Sequence, residues 1–287
     1  MRMMSSGWCL ALALAVAVTG SACARTPSPE HKRTSPMSDT VTTGRTINGH
    51  TYSDAPVDVK LGPHIFRIPA NYLDSQIAPW SSEVVTLVIE WPDMTPTPPG
   101  ARANPRTNDF RKEIHAAIDY VDRVPIEELL GRFSSNEALT KPDWVERGNP
   151  VERLDLRIAQ PEMLGLIPYA IDEEKMAAYV KAYEAHYGEP PARNPALEYD
   201  WYVARDTGGN LTTFIKCDSA KFRKDGIRLE DNQVIDDEGS VVADCTHYLV
   251  DVENKLSITL HYHRAFLKDW KRMEKAIRDV LARTKVK

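Results

Sequence analysis

Residues 245–263 read CTHYLVDVENKLSITLHYH. Cys245 to Val250 and Leu256 to His263 alternate apolar with polar side chains on either side of a turn at Glu253-Asn254. A period of two marks strands that bury one face, and the short turn makes them antiparallel neighbours. If Val252 opposes Lys255 across the turn, His247 opposes Leu260 and points away from His261 and His263. A second hairpin precedes this one. Asp200 to Asp206 and Leu211 to Cys217 flank Thr207-Gly208-Gly209-Asn210, whose glycines accept the positive φ of a tight turn. Cys217 and Cys245 therefore fall on strands of different hairpins, and a bond between them would staple those hairpins across one sheet or sheet edge.

Downstream, Phe266, Trp270, Met273, Ile277, Val280 and Leu281 recur at helical spacing, while Lys268, Asp269, Arg272, Lys275 and Arg278 take other faces. The pattern predicts an amphipathic helix over Arg264 to Thr284 that packs on a sheet. Upstream, Asp172 caps DEEKMAAYVKAYEAHYG, a helix with acids in its first turn and Gly188 at its end. Its stripe of Met176, Tyr179, Val180 and Tyr183 is read as core. Leu154, Leu156 and Ile158 alternate in Arg153 to Ala159, which predicts a half-buried strand, and Pro125 opens a short helix through Leu130. Ile114 to Val121, Val84 to Glu90, and Val57 to Ile68 with its Gly-Pro break complete the strands. PANYLDSQIAPWSSE reads as an ordered loop, and Pro92 to Pro105 as a stiff connection poor in backbone donors. The expected fold class is α+β: antiparallel sheets with a few packing helices, including the C-terminal amphipathic one.

The N-terminus carries an address. Arg2 is followed by an apolar run from Trp8 to Val18, then Thr19-Gly20-Ser21-Ala22-Cys23. This is a secretory signal, too short for a membrane span of roughly 20 apolar residues. Ser21-Ala22-Cys23 fits a lipobox in which the Cys23 thiol accepts diacylglycerol, although Gly20 stands where an aliphatic residue is usual. An ordinary signal cut after Ala22 or Ala24 is the alternative. Ala24, rather than aspartate, follows Cys23 and favours the outer membrane. The polar Ser/Thr/Pro-rich residues 24–47 cannot bury enough surface to order themselves and read as a flexible tether. Residues 48–287 form the binding domain, which could comprise two intimately packed halves meeting near 150.

The formal net charge of −5, with signs interspersed, excludes a basic nucleic-acid surface. Of four cysteines, Cys9 leaves with the signal and Cys23 would carry lipid, so Cys217 and Cys245 remain to pair in an oxidising compartment.

Catalytic templates fail. G-x-S-x-G, S-x-x-K, H-E-x-x-H, G-x-x-x-x-G-K-[ST] and G-x-G-x-x-G are all absent. His247, His261 and His263 are the best metal candidates, but the hairpin parity separates His247 from the other two. Glu113, His115 and Asp119 share a strand face and could be read as acid and base; surface carboxylates are the plainer reading. No metal or cofactor is expected. Aromatic residues on stiff loops lose little entropy on meeting a partner, which brings forward Trp80, Trp91 and Trp144. The candidate binding residues are Trp80 and Trp91, with Asp93, Arg102 and Arg106 on the Pro-rich connection.

Several strings together resemble a known family. HIFRIPANY at 64–72, VTLVIEWPDMTPTPPG at 86–100, YVDRVPIEELL at 120–130, and the CTHY hairpin leading into LKDWKRMEKAIRDVL are similar to periplasmic lipoprotein immunity proteins that neutralise type VI secretion lipase effectors. The resemblance implies no enzymatic activity. It implies instead a guard that meets its toxin, a phospholipase, at the entrance to the toxin's active site or blocks a lid movement. An envelope assembly or structural lipoprotein is the alternative.

Overall fold

The alternation at 245–263 becomes the centre of an eight-stranded antiparallel sheet in the computed structural model of the chain. The structure describes residues 41–286 except 105 and 238–240. The signal, Cys9, Cys23 and residues 24–40 of the tether lie outside the described residues.

Fourteen strands and three α-helices follow in chain order among the described residues. They are β1 (Thr43–Ile47), β2 (His50–Ser53), β3 (Pro56–Leu61), β4 (His64–Pro69), β5 (Val84–Glu90), β6 (Glu113–Tyr120), α1 (Leu129–Phe133), β7 (Arg157–Ala159) and β8 (Ile167–Ile171). Then come α2 (Glu173–Tyr187), β9 (Tyr199–Arg205), β10 (Leu211–Asp218), β11 (Ile227–Glu230), β12 (Gln233–Asp236), β13 (Asp244–Asp251), β14 (Leu256–His263) and α3 (Trp270–Thr284). The main sheet has the order β5-β6-β14-β13-β10-β9-β8-β7, so strands from either side of residue 150 are hydrogen-bonded neighbours. The remaining strands pair as three separate hairpins, β1-β2, β3-β4 and β11-β12.

Both central hairpins form, the later one in the expected register and the earlier one with a register shift between Leu211 and Thr213. Asp251 opposes Leu256 and His247 opposes Leu260, while β10 joins them through Cys217 opposite Cys245. These cysteines form a disulfide with a Cα–Cα separation of 4.0 Å, stapling the hairpins side by side.

One face of the sheet is closed. Leu256, Ile258, Leu260 and Tyr262 of β14 and Ile114, Ala116 and Ile118 of β6 pack with Phe66 and Ile68 of β4, and with Met273, Ile277 and Leu281 of α3. Removing this apolar surface from water, at roughly 25 cal/mol per Å², is the main force holding sheet and helix together. The opposite face is covered only in part, where α1 and Leu154 pack on Trp201, Val203 and Phe214.

Several local expectations change. Leu154–Leu156 is a turn of 3-10 helix, and only Arg157–Ala159 is extended. The reason is Arg157: its guanidinium turns inward over the Trp201 ring at 3.9 Å and donates to the carbonyls of Pro150, Val151, Tyr169 and Tyr199. The last helix likewise begins with a 3-10 stretch at Arg264–Asp269. In α2, Asp172 caps the backbone N–H groups of Glu174 and Lys175, and Gly188 ends the helix at φ 82°. Its stripe is only half core: Met176 and Tyr179 are buried while Val180 and Tyr183 are partly exposed, and beyond them Tyr187 is exposed and donates to Glu146. The β1 strand falls within the segment read as tether, because Asn48 and Gly49 (φ 51° and 81°) supply the two left-handed residues of a tight hairpin turn.

Candidate protein-binding face

On the open side of β5, β6 and β14 most of the alternate residues are polar, with Val84, Val88 and Ala117 between them. Val84, Asp119 and Ser257 lie side by side across the three strands, followed by Thr86, Ala117 and Thr259, then Val88, His115 and His261. Tyr248 of β13 stands opposite Thr259. Among the described residues no helix crosses this part of the face. Instead, two borders rise around it, one from α1 and one from the loops between β4 and β6.

The loop border is held by a buried ion cluster. Arg102, with a side chain 9% exposed, reaches Glu113 at 2.7 Å and Asp74 at 2.9 Å, and also donates to the Asp74 carbonyl. Asn108 donates to Glu113, and His115 Nε2 lies 2.9 Å from its other oxygen. Burial alone would raise the Glu113 pKa, but hydrogen bonds from His115, Arg102 and Asn108 outweigh it and hold the carboxyl at about 2. Gln76 ties the same loop to Thr97. The Pro-rich segment is thus partly folded under, with Met94, Thr97, Pro99 and Ala101 buried.

The residues singled out for binding separate into two groups. Trp80 is 79% exposed at the loop crest, its indole N–H donating to Asp74. Asp93 and Arg106 are also exposed. Trp91 is not available: it is 6% exposed, stacked on Phe266 at 5.3 Å, and donates to Asp269. Arg102 is the buried pin of the loop and likewise presents little to a partner. These two residues shape the border rather than the contact. Trp144 is exposed elsewhere, beneath the Lys141 ammonium.

The histidines fall as the hairpin parity requires. His247 is fully buried against α3, with Nε2 2.9 Å from Glu274 and Nδ1 3.3 Å from the Tyr262 hydroxyl. His261 is on the other face, where burial and the nearby His115 lower its pKa. His263 pairs with Asp244 at 2.6 Å. Among the described residues no group of three or more His, Cys, Asp or Glu side chains is arranged to hold a metal ion.

Sequence reasoning missed the feature next to the loop border. A groove of about 670 Å³ has Asp119, Ser257, Thr259 and Tyr248 on its floor, with Leu129 and Phe133 of α1 on one side and Glu83 and Asp122 at its rim. Phe133 and Tyr248 meet at 4.6 Å between ring centroids. Desolvation raises the pKa of Asp119 and its strand neighbour Ser257 partly offsets this; no cation contributes. The groove is assembled from six separate segments, so only the parity of Asp119 was visible beforehand.

No protein-family model and no curated protein matches the chain. A solved structure does: an immunity protein of the Stenotrophomonas maltophilia type IV secretion system, 69% identical, with a TM-score of 0.83. The match covers 86% of this chain and 99% of that one. At that identity and coverage the relationship reaches beyond the fold, and the chain belongs to this family of secretion-system immunity proteins, which act as inhibitors and not as enzymes.

Proposed function

We propose that this protein is the exported, lipid-anchored immunity protein that binds one secreted antibacterial toxin in the periplasm and neutralises it stoichiometrically. The observation that carries the reading is the 69% identity to an immunity protein over 99% of that protein's length. The delivering machinery of that relative is a type IV system, and a type IV toxin is therefore the better-supported target here than the type VI effector implied by the sequence resemblance. The same resemblance supplies the chemistry proposed for the toxin, hydrolysis of phospholipid.

Two features support the compartment. The lipobox at Ser21-Ala22-Cys23 supports export and tethering, with outer-membrane attachment favoured by Ala24. The Cys217–Cys245 disulfide is at home in an oxidising environment. A tether at the membrane would raise the local concentration of the inhibitor where a phospholipase acts.

The test is a titration. Purified mature protein is added to the toxin encoded in the adjoining reading frame, with phospholipid vesicles as substrate. Activity should fall linearly to zero at equimolar protein. Full activity in the presence of excess protein would end this reading.

A further inference from the structure

We infer that the groove between α1 and the start of β5 is the toxin-docking site, and that it receives a long basic side chain, arginine or lysine, from a protruding loop of the toxin. This rests on the immunity reading above and specifies its surface and chemistry.

The argument begins with Asp119. Its carboxylate is half-buried on the open sheet face, between Val84 of β5 and Ser257 of β14. Among the described residues no Lys, Arg or His forms a salt bridge with Asp119, and desolvation raises its pKa with only Ser257 opposing it. Any partner that covers the groove removes the remaining water from this carboxylate, which is costly unless a counter-charge arrives with it. The rim reinforces the demand, since Glu83 and Asp122 outnumber Arg123 there. A neutral or acidic loop is therefore rejected, and a cation is drawn in.

The walls fit the remainder of such a side chain. Leu129, Phe133 and Tyr248 form an apolar flank along the groove. The methylene stem of an arginine or lysine packs on surfaces of this kind while its head stays polar. The Phe133 and Tyr248 rings pack against each other, which makes this flank a rigid apolar surface. Ser257 and Thr259 add hydroxyl acceptors beside the carboxylate. The exposed Trp80 at the opposite border is placed to close over a flanking part of the loop.

The experiment measures binding of the full-length mature protein to the purified toxin of the adjoining reading frame by calorimetry. Asp119→Asn should weaken binding by on the order of 30-fold, since truncating one partner of a buried charge pair is costly. Asp119→Lys should abolish it, and reversing the matching toxin cation to glutamate should restore binding to Asp119→Lys. Lys60→Glu, on the exposed side of β3, should bind as the unaltered protein does, and circular dichroism should show all variants folded. If the unaltered protein binds but Asp119→Asn and Asp119→Lys bind equally well, the groove assignment is wrong and the immunity reading survives. If the unaltered protein does not bind the toxin, the immunity reading itself fails.

Discussion

The two faces of the main sheet are made by the same strands and differ in almost everything else. On β14, Leu256, Ile258, Leu260 and Tyr262 are buried beneath α3, while the intervening Thr259, His261 and His263 look onto a surface that no helix crosses. The closed face carries stability: large apolar side chains, the disulfide, and a single buried histidine satisfied by Glu274 and Tyr262. Away from the cluster that α1 and Leu154 form with Trp201, Val203 and Phe214, the open face contributes less packing and can vary at smaller cost to the fold. Function is therefore expected where burial is incomplete, and specificity can change there from one immunity protein to the next.

The contrast can be broken by substitution. Phe266→Ala, beneath Trp91 on the closed side, should cost about 3–5 kcal/mol in denaturant unfolding. A cost below about 1 kcal/mol would mean that the 3-10 stretch leading into α3 is less essential than its packing indicates. Converting both Cys217 and Cys245 to serine opens a loop with a sequence separation of 28. The chain-entropy relation then gives a loss of roughly 3.5 kcal/mol, readable as a lowered urea midpoint.

The ion cluster at the loop border should respond to acid. Glu113 in the folded protein titrates at about 2, below its ordinary 4.5, so the stability it contributes is full above about pH 4.5 and is lost as pH falls towards 2. A discounted estimate of that contribution is on the order of 2 kcal/mol. Glu113→Gln should flatten this part of the stability curve, and an unchanged acid profile would refute the assignment. The smallest effect sharpens the comparison most. Thr259→Ala, one residue from Ile258 but on the open face, should change stability by less than about 0.5 kcal/mol. Ile258→Ala should cost about 2–5 kcal/mol.

Much of the closed face was legible. The alternation in 245–263 fixes which residues turn inward, and the turn at Glu253-Asn254 fixes the register, so the separation of His247 from His261 could be read before any coordinates. The disulfide pairing followed from compartment and counting. Short elements were harder. The β8 strand and the β11-β12 hairpin are too brief for a convincing period, although Asp231 and Asn232, both with positive φ, mark the turn between the latter two. At Arg153 to Ala159 the alternation misled because an arginine satisfied by four carbonyls took an inward position.

The candidate face was less legible, for a different reason. Of the two tryptophans singled out on loops, Trp80 is exposed and Trp91 is buried, since the sequence does not show which ring the chain folds beneath itself. Arg102 looked like a free surface cation and proved to be the pin of its loop, because Asp74 and Glu113 approach it only in the folded chain. Asp119 gains its meaning from a lack of neighbours, and that is a property of the assembled surface alone.

The margins of the sheet carry a last consequence. Along β5, Leu87 bridges Leu73 and Glu90 bridges Thr95, so chain segments already occupy parts of that edge; at the other margin β7 offers only three residues. Zipping on an extra strand uses main-chain hydrogen bonds, which every polypeptide can make, and it discriminates poorly between strangers. With that route obstructed, a visitor must be recognised through side chains presented face-on. An immunity protein with so little open edge would have to tell one toxin from another by the shape and charge of its side chains.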